Sequence, residues 1–582
     1  MVDDKKTIGF IVSGIMDEFT EQLCKGILSE SKNDNIRLVI IPVKYIYRDM
    51  KDCPDPYEYQ YETNALNITA ESFDALIISA DCIGCLTTED NILKFVDNIK
   101  AKNIPIILAA SNIDGYPGVI FDNKTGIIEA MDYLVKELGI KKICMLRSAE
   151  NNSDVTERYY TFRERMWYYG LPVRPESVVT THLYDNCREA CEQILDDNPD
   201  MEAIFCANDA VALEFYKLMN ERGLIPGRDI KVMGFDNSIN GSMITPSLTT
   251  VDADAVQLGS RAFSMLRMVM EGWDVGIMTI PTHFILRDSF GLLLDKENSD
   301  EDIFDKSSLD EYFDRIFFMF DRFSDKSDLE IPILFKALMT VIIDYINDKE
   351  YNPERTMFLK GKVDEFFRTG ALKYTDVNLL ISYTERVKDT CINKFADNKR
   401  KCQVYETFSQ ILEKISTSTG KNPTVYEDIK DNTLFSVKDM MEEVFSFDVP
   451  SDEQYACIVK HMTKYGVKNA YVYIYEEPLT HLQGEELTLP DKVRIKIAMN
   501  NEDIQCIPEE DQVIELIHLF DNDFVKADNF NMVLMPLYFR DKLYGSLLYD
   551  LTDTTYRNGD FLVSNYSSAA RAIHMFKNSA IK

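Results

Sequence analysis

Two strongly polar residues interrupt an apolar run in the first half of the chain. The stretch IFCANDAVA, residues 204–212, reads as a buried strand that ends in Asn208 and Asp209 and passes at once into a helix-like pattern. A buried carboxylate without partners is costly, so these side chains cap the helix, line a solvated turn or face a ligand at the strand end. The pattern alone leaves these alternatives open.

Two further acidic residues occupy similar places, since Asp236 directly follows the run KVMGF and Asp17 follows the first strand-like run after a short loop. In a doubly wound sheet, ligands bind in the crevice at the carboxyl ends of the strands. Asn and Asp side chains with a nearby Arg can hydrogen-bond a polyhydroxylated ligand, and an aromatic ring such as Phe19 or Trp167 can cover its apolar face. We therefore expect a ligand-binding edge here, with caps and turns as the alternative.

The elements that must position these residues follow from the apolar periodicity between residue 7 and about residue 292. Short apolar runs alternate there with amphipathic stretches, which is typical of a parallel sheet with helices on both faces. Helices are predicted between the strands, for example at 126–138 and 209–223. The predicted strands are 7–13, 36–43, 75–79, 105–110, 118–122, 142–146, 203–207 and 230–235.

The composition and the apolar periodicity of the sequence change beyond this region. Residues 295–308 are acidic and rich in Ser and Asp, which predicts a linker. Residues 309–445 show helical periodicity almost throughout, with Pro353 and Pro423 as expected breaks. From 446 to 582, strand-like runs and a closing helix predict a small antiparallel α+β domain.

The last region contains a predicted hairpin and a closing amphipathic helix. The runs NMVLMPLYFR and KLYGSLLYDL flank a tight turn at Asp541 and predict a hairpin. The closing helix, expected at 558–579, has an apolar stripe that could form a parallel dimer seam or pack on its own sheet. The stripe consists of Phe561, Leu562, Tyr566, Ala569, Ala570, Ile573 and Phe576.

Residues 7–290 resemble the effector-binding core of the lactose/galactose-repressor (LacI/GalR) family, which has a type 1 periplasmic-binding-protein fold. The resemblance runs through VIFDNKTGIIEAMDYLVKELGIKKI (119–143), CANDAVALEFYKLMNERGLIPGRDIKVMGFDN (206–237), ITPSLTTVDADAVQLGSRA (244–262) and IPTHFILRDS (280–289). The order of the GFD, LTT and LRDS segments is its most specific part. It implies a two-lobed, doubly wound α/β sensor domain over residues 1–294.

The resemblance also implies roles for individual residues. Asn208 and Asp236 match ligand-contacting positions, and Arg158 in ERYYTF matches an arginine clamp. Phe19 matches an aromatic position that stacks on the ligand, with Asp17 close by, while Asp209 is expected to contact the ligand or to cap its helix.

Two departures from the family pattern stand out. Ala110 occupies a place where many members carry Asp, and Asn112 could compensate. Family repressors begin with a helix-turn-helix head, but the first strand here is expected near Thr7, so we expect no DNA binding in the family's usual way. The segment MVLMPLYFRDKLYGSLLYDL resembles a GAF-type sensor module, which implies a GAF-like domain over 446–582.

Composition excludes several function classes. The chain has 63 Lys and Arg against 97 Asp and Glu, a formal net charge of −34, which disfavours binding to nucleic acid or an anionic membrane. No apolar run is long enough for a membrane span or a signal peptide. The pair Cys82 and Cys85 could form a redox or zinc element, but without a second ligand pair a structural role is favoured. We expect no metal, no cofactor and no catalytic residue.

These features together predict a cytoplasmic, non-enzymatic ligand-sensing regulator that forms a homodimer. A small polar, sugar-like molecule would close the two lobes, and the helical region would relay that closure to a partner or output in transcriptional or signalling control. One alternative is an interaction scaffold with a decayed crevice. Another is the sensory part of a larger diguanylate cyclase or kinase-type signalling protein.

Overall fold

The computed structural model describes most of the chain, and the statements below concern the described residues. These are 5–32, 34–50, 53, 55–149, 153–181, 187–291, 309–317, 320, 330–347, 353–375, 377–394, 397–419, 435–527 and 530–580.

Six parallel strands form the sheet of a first lobe. They are β1 (Lys6–Val12), β2 (Ile36–Pro42), β3 (Ala75–Ile78), β4 (Ile106–Ala109), β5 (Gly118–Phe121) and β11 (Ile277–Ile280). Their order across the sheet is β11-β5-β4-β3-β1-β2. The helices of this lobe are α1 (Glu18–Glu30), α2 (Ala80–Gly84), α3 (Glu89–Lys100) and α9 (Ala255–Met270), and a 3-10 segment spans Glu58–Asn67.

Both faces of the first sheet are buried. Phe10 belongs to the same apolar cluster as Leu23 of α1, whereas its neighbour Ile11 belongs to the opposite cluster with Ile92 of α3. Alternate side chains of a strand point to opposite faces, so the continuous apolar run of β1 supplies both cores.

A second lobe is built on a four-stranded parallel sheet. Its strands are β6 (Ile143–Ser148), β7 (Val178–Thr181), β8 (Ala203–Cys206) and β9 (Lys231–Met233), in the order β7-β6-β8-β9. Its helices are α4 (Thr125–Asp132, continued by a π-helical turn at Tyr133–Glu137), α5 (Ser153–Tyr168), α6 (Arg188–Asp197), α7 (Asp209–Glu221) and α8 (Ile239–Met243). The short strands β10 (Thr250–Asp252) and β12 (His283–Ile285) pair antiparallel.

The predicted strands of both lobes are confirmed, with ends that differ by at most two residues. The sequence analysis missed β7, β10, β11 and β12, which have three or four residues each. Strand β11 lies at a sheet edge, and Ile277 and Met278 on it are exposed, so its sequence lacks the apolar signature of a central strand.

The middle of the chain is helical, as predicted. Its helices are α10 (Leu309–Ile316), α11 (Ile331–Asn347), α12 (Pro353–Arg368), α13 (Val377–Lys394), α14 (Asn398–Thr419) and α15 (435–444). Phe313, Phe335 and Phe366 lie in a shared aromatic core, and Ile239 of the second lobe packs against that core. Pro353 begins α12 after a break, as expected, whereas Pro423 and the predicted linker 295–308 lie outside the described residues.

The last region combines an antiparallel sheet with two helices. Its elements are α16 (Glu453–Met462), β13 (Ala470–Thr480), β14 (Lys492–Asn500), β15 (Asp503–Cys506), β16 (Val513–Glu515), β17 (Phe530–Phe539), β18 (Lys542–Asp550) and α17 (Asp553–Ala580). The predicted hairpin is present, since β17 pairs with β18 and Arg540 adopts a φ of 57° in the turn. The GAF-like nature of this region stays a prediction.

The strands of this region extend the sheet of the first lobe. Strand β17 pairs in parallel with β2, with Met532 opposite Val39, so one 12-stranded sheet runs from β11 to β15. The sequence analysis, which treats 1–294 and 446–582 as separate domains, did not predict this pairing. A sheet edge presents unpaired backbone groups to any strand, and local patterning does not specify which strand will cover it.

The terminal helix α17 packs most of its predicted apolar stripe against its own sheet, so the complete stripe is not available as a dimer interface. Leu562, Tyr566, Ala569, Ala570 and Ile573 are buried. Two members of the predicted stripe, Phe561 and Phe576, remain exposed at 40% and 37%. Among the described residues, no helix is long and apolar enough to cross a membrane.

The pairing of β2 with β17 can be tested at Asn64, because its buried Nδ2 donates to the carbonyls of Pro42 (2.7 Å) and Leu534 (3.1 Å). Asn64→Ala should lower the free energy of unfolding by about 2 kcal/mol, since two buried acceptors lose their donor. The matched control is Asn565→Ala, which removes an exposed amide bonded to Phe561 and should cost less than about 0.5 kcal/mol. Equal losses of unfolding free energy in the two variants, measured by urea denaturation, would show that the β2–β17 pairing is not formed in solution.

Candidate functional site

A deep crevice separates the two lobes at the carboxyl ends of their strands. It encloses about 1320 Å³, its open mouth included, which leaves room for a small ligand and ordered water. The first lobe contributes Ser13, Asp17, Glu18, Phe19, Gln22, Tyr45, Cys82, Ala110 and Phe121. The second contributes Asp154, Val155, Arg158, Asn208, Asp209, Ala210, Asp236 and Ser238, and Ala253 and Ala255 lie where the chain returns to the first lobe.

All six residues predicted for the site line this crevice, although their roles as ligand contacts stay predictions. The aromatic alternative Trp167 does not line it and is 80% exposed on α5. Asn112, which was expected to compensate for Ala110, is also outside the lining, while Ala110 itself lies in it.

The structure separates the roles of Asn208 and Asp209. Asn208 is the N-cap of α7, and its Oδ1 accepts a hydrogen bond of 3.0 Å from the backbone N–H of Val211. The expectation that Asp209 caps this helix is therefore wrong, because a cap must precede the first helical residue and Asp209 is that residue. With its oxygen engaged, Asn208 has its Nδ2 as the group suited to donate to a ligand.

Asp209 is buried and holds the loop that follows β9. Its Oδ1 accepts from Thr250 Oγ1 at 2.7 Å, and its Oδ2 accepts from the backbone N–H of Ser238 at 2.6 Å. Gly234 allows this approach, because an added Cβ there would lie 2.1 Å from Asp209 Oδ1. Burial raises the pKa of Asp209 to about 7, with Asp236 as a further cause. Asp209 therefore fixes the loop after β9, which forms part of the crevice wall.

Arg158 is fixed before any ligand arrives. Its Nε donates to Asn123 Oδ1 at 3.0 Å, its Nη1 donates to the carbonyl of Ala207 at 3.1 Å, and its guanidinium lies 3.5 Å from the ring centre of Phe235. Its Nη2 approaches Asp236 Oδ1 at 3.7 Å. A guanidinium held in this way loses little entropy when it binds an oxygen-rich ligand.

Asp236 combines exposure with an unfavourable backbone. Its side chain is 47% exposed in the crevice, and its φ of 96° lies in a region that side chains other than glycine rarely adopt. Non-glycine residues in such conformations cost about 1–3 kcal/mol and cluster at functional sites.

The first lobe contributes one capping carboxylate and one aromatic ring. Asp17 is the N-cap of α1, and its carboxylate accepts from the backbone N–H (2.7 Å) and the hydroxyl (2.8 Å) of Thr20. Desolvation raises the pKa of Asp17 despite these bonds. Phe19 faces the crevice and packs against Phe121 at 6.2 Å between ring centres.

The structure adds crevice residues that the sequence analysis missed, notably Glu18, Tyr45 and Asp154. Glu18 Oε2 accepts from the backbone N–H of Ile239 at 3.2 Å, which connects the first lobe to the second. Burial raises the pKa of Asp154. The signal for Glu18 was its place beside Asp17, but nothing local marked Asp154 as facing the same space.

Comparisons with known proteins agree with this architecture. Residues 132–290 match the periplasmic binding protein-like domain. Catabolite control protein A of Priestia megaterium is 26% identical over 289 residues, which is 49% of this chain and 81% of that protein. The amino-terminal half is therefore similar to the effector-binding core of LacI-type regulators, and it is called the LacI-type core below.

Other relatives of the LacI-type core are also transcriptional regulators. The repressor CytR of Escherichia coli is 24% identical over 278 residues, 47% of this chain and 75% of that protein. Among solved structures, a complex of the regulator CelR with cellobiose is 19% identical, with a TM-score of 0.42 and coverage of 50% of this chain and 86% of that one. A LacI family regulator from Enterococcus faecium with bound ribose is 22% identical, with a TM-score of 0.39 and coverage of 48% and 97%.

Asp209 gives the LacI-type core a testable pH dependence. The pKa of an unfolded Asp is near 3.9 and that of folded Asp209 is about 7, so between these values the folded state binds a proton that the unfolded state lacks. Stability contributed by this group is therefore full at low pH and falls as the pH rises through this window.

Asp209→Asn cannot titrate, and its amide can still accept one bond and donate another to the rotatable Thr250 hydroxyl. Between about pH 5 and about pH 8, the free energy of unfolding should fall by about 2 kcal/mol less in this variant than in the unchanged protein. The measurement is urea denaturation at both pH values, with Asp521→Asn as an exposed control. Parallel pH profiles for both variants and the unchanged protein would contradict the assignment.

Proposed function

We propose that this protein is a non-enzymatic, cytoplasmic regulator that senses a small polar, sugar-like ligand between its two lobes and acts as a homodimer. The observation that carries the proposal is the convergence of Arg158, Asn208 and Asp236 on one crevice. They come from α5, the end of β8 and the end of β9, and they face Phe19 across the gap.

These groups suit a polyhydroxylated molecule. Arg158 and the amide of Asn208 offer donors, the exposed carboxylate of Asp236 offers acceptors, and the rings of Phe19 and Phe121 offer an apolar surface. Hydroxyl groups that both donate and accept can satisfy such a mixed set, while the C–H face of a sugar ring covers the aromatic wall. The regulatory relatives support a role in transcriptional or signalling control without catalysis.

Closure of the lobes has a physical route to the rest of the chain. The loop after β1, which enters the crevice, contacts the start of α17: Asp560 N–H lies 3.4 Å from Met16 Sδ, and Gly559 sits against Ile15. Asp560 also accepts from Lys44 and Tyr61. The carboxyl-terminal sheet therefore travels with the first lobe.

The helical region contacts the opposite lobe. Ile239 of α8 packs against the aromatic core of the helical bundle, and the backbone of the same residue binds Glu18. We propose that closure changes the position of the bundle relative to α17, and that this change is the signal read by a partner. A ligand produces the shift only by binding one arrangement of the lobes more tightly than the other.

Ligand binding is tested by thermal shift of the full chain against neutral sugars, sugar phosphates, nucleosides and amino acids. A ligand at a hundredfold excess over its Kd stabilises the folded state by about 2.7 kcal/mol. Both Asp236→Ala and Asp236→Gly should abolish the shift, because both remove the carboxylate.

The two variants should differ in stability without ligand. The free energy of unfolding of Asp236→Gly should be about 1 kcal/mol higher than that of Asp236→Ala, since only glycine adopts the φ of 96° without strain. Absence of any ligand-induced shift would favour the scaffold alternative, and a shift that survives in both variants would remove Asp236 from the site.

The relay is tested by Asp560→Asn, which weakens the contacts of α17 with Lys44 and Tyr61. Any compound that binds in the screen should keep its affinity within about twofold, because Asp560 does not line the crevice. In Asp560→Asn, the effect of that compound on amide hydrogen exchange in residues 553–562 should be lost. Asp521→Asn, which breaks the ion pair with Arg37 at the opposite end of β2, should preserve that effect. An unchanged exchange response in Asp560→Asn would contradict the relay.

A further inference from the structure

The helical bundle in the middle of the chain contains a cavity that the proposed function does not use. The cavity lies among α10, α11, α12, α13 and α14 and has a volume of about 680 Å³, its open mouth included. Protein interiors are closely packed, and voids larger than a water molecule are few. An empty space in a hydrophobic core is unfavourable, because the side chains around it lack contacts on one side.

The lining of this cavity is almost entirely apolar. Sixteen of the described residues line it; seven of these are aromatic, and none of the sixteen is Asp, Glu, Lys, Arg or His. Thr384 adds a hydroxyl, which donates to the carbonyl of Leu380 at 2.7 Å within α13. The other side-chain oxygens of the lining belong to Tyr312 and Tyr383. A charged molecule would therefore lose its hydration here without gaining a counter-ion.

The aromatic side chains around the cavity support one another. Phe317 contacts Phe335 and Phe366 edge to face, at 5.5 Å between ring centres in both pairs. Tyr312 of α10 packs in the same way against Tyr383 of α13, at 6.2 Å. The walls can close over the space only by giving up such contacts, so the cavity persists and presents aromatic rings to an occupant.

We propose that this cavity is a second ligand site, which takes an uncharged, largely apolar small molecule. Apolar cavities do not retain water well, because water finds no polar partners there, but they bind apolar molecules that restore the missing contacts. The inference does not rest on the proposed function, since no residue lines both this cavity and the crevice between the lobes.

The test is a fluorescence titration of the full chain with N-phenyl-α-naphthylamine, an uncharged probe whose emission rises in apolar surroundings. Binding should saturate at one probe per chain. α-Naphthalenemethanol should displace the probe, whereas α-naphthoate, which has the same rings and a carboxylate, should bind about tenfold or more weakly because its charge would be buried without a partner.

A larger side chain in the cavity should compete with the probe. Val387→Phe should weaken probe binding by about tenfold or more without lowering the free energy of unfolding, because the added ring occupies empty space. Leu380→Phe, on the same helix, serves as a second variant should the first fail to fold. Val449→Phe makes the same change as Val387→Phe at a site that is 70% exposed and should leave the affinity unchanged.

Four results would overturn the proposal. They are the absence of saturable binding, unchanged probe affinity in folded Val387→Phe or Leu380→Phe, binding of the naphthoate as tightly as the alcohol, and a loss of stability in both cavity variants. The last result would show that the core is already filled, because overpacking a filled core is destabilising. The sugar-sensing function would stand in each case, since it depends on the crevice.

Discussion

A buried carboxylate shapes the part of the molecule on which the crevice depends. Asp209 opens α7 beneath the loop after β9, and its two oxygens accept from Thr250 and from the backbone of Ser238. Ionisation in such a place is unfavourable, which is why burial raises its pKa to about 7. The bonds that partly offset this cost fix the loop that carries Asp236, so the exposed carboxylate is positioned by the buried one.

The second constraint is the open edge of the first sheet. An exposed parallel edge invites pairing with another chain, and β17 of the same chain covers it. Asn64 then bridges the two strands by donating to a carbonyl of each. The consequence reaches beyond stability, because it makes the first lobe and the carboxyl-terminal region one continuous sheet, while the helical bundle contacts the second lobe through Ile239. Any change in the angle between the lobes would therefore also move the helical bundle relative to the carboxyl-terminal sheet.

The sequence predicts what is local and misses what is distant. The run IFCAND revealed a strand that ends in polar residues at a crevice, because apolar periodicity and a sudden Asn-Asp pair are visible in ten residues. It could not show that Asn208 caps α7 while Asp209 reaches Thr250, since both types are good caps and Thr250 is 41 residues away. Asp154 and the β2–β17 pairing escaped for the same reason: tertiary packing brings them into place, and no periodic pattern encodes it.

The crevice concentrates features that folding alone would not favour. Asp236 holds a φ of 96° where glycine would be relaxed, and Asp154 lies close enough to Asp81 to help raise the pKa of Asp81, after burial as the largest cause. None of these side chains is part of an apolar core, so substitutions that remove the strain or the repulsion would cost little packing. Strain and like-charge proximity persist where a surrounding structure enforces them, and they are useful where a ligand relieves them on binding. Their convergence on one space between two lobes is therefore the physical argument behind the proposal that this crevice binds a ligand.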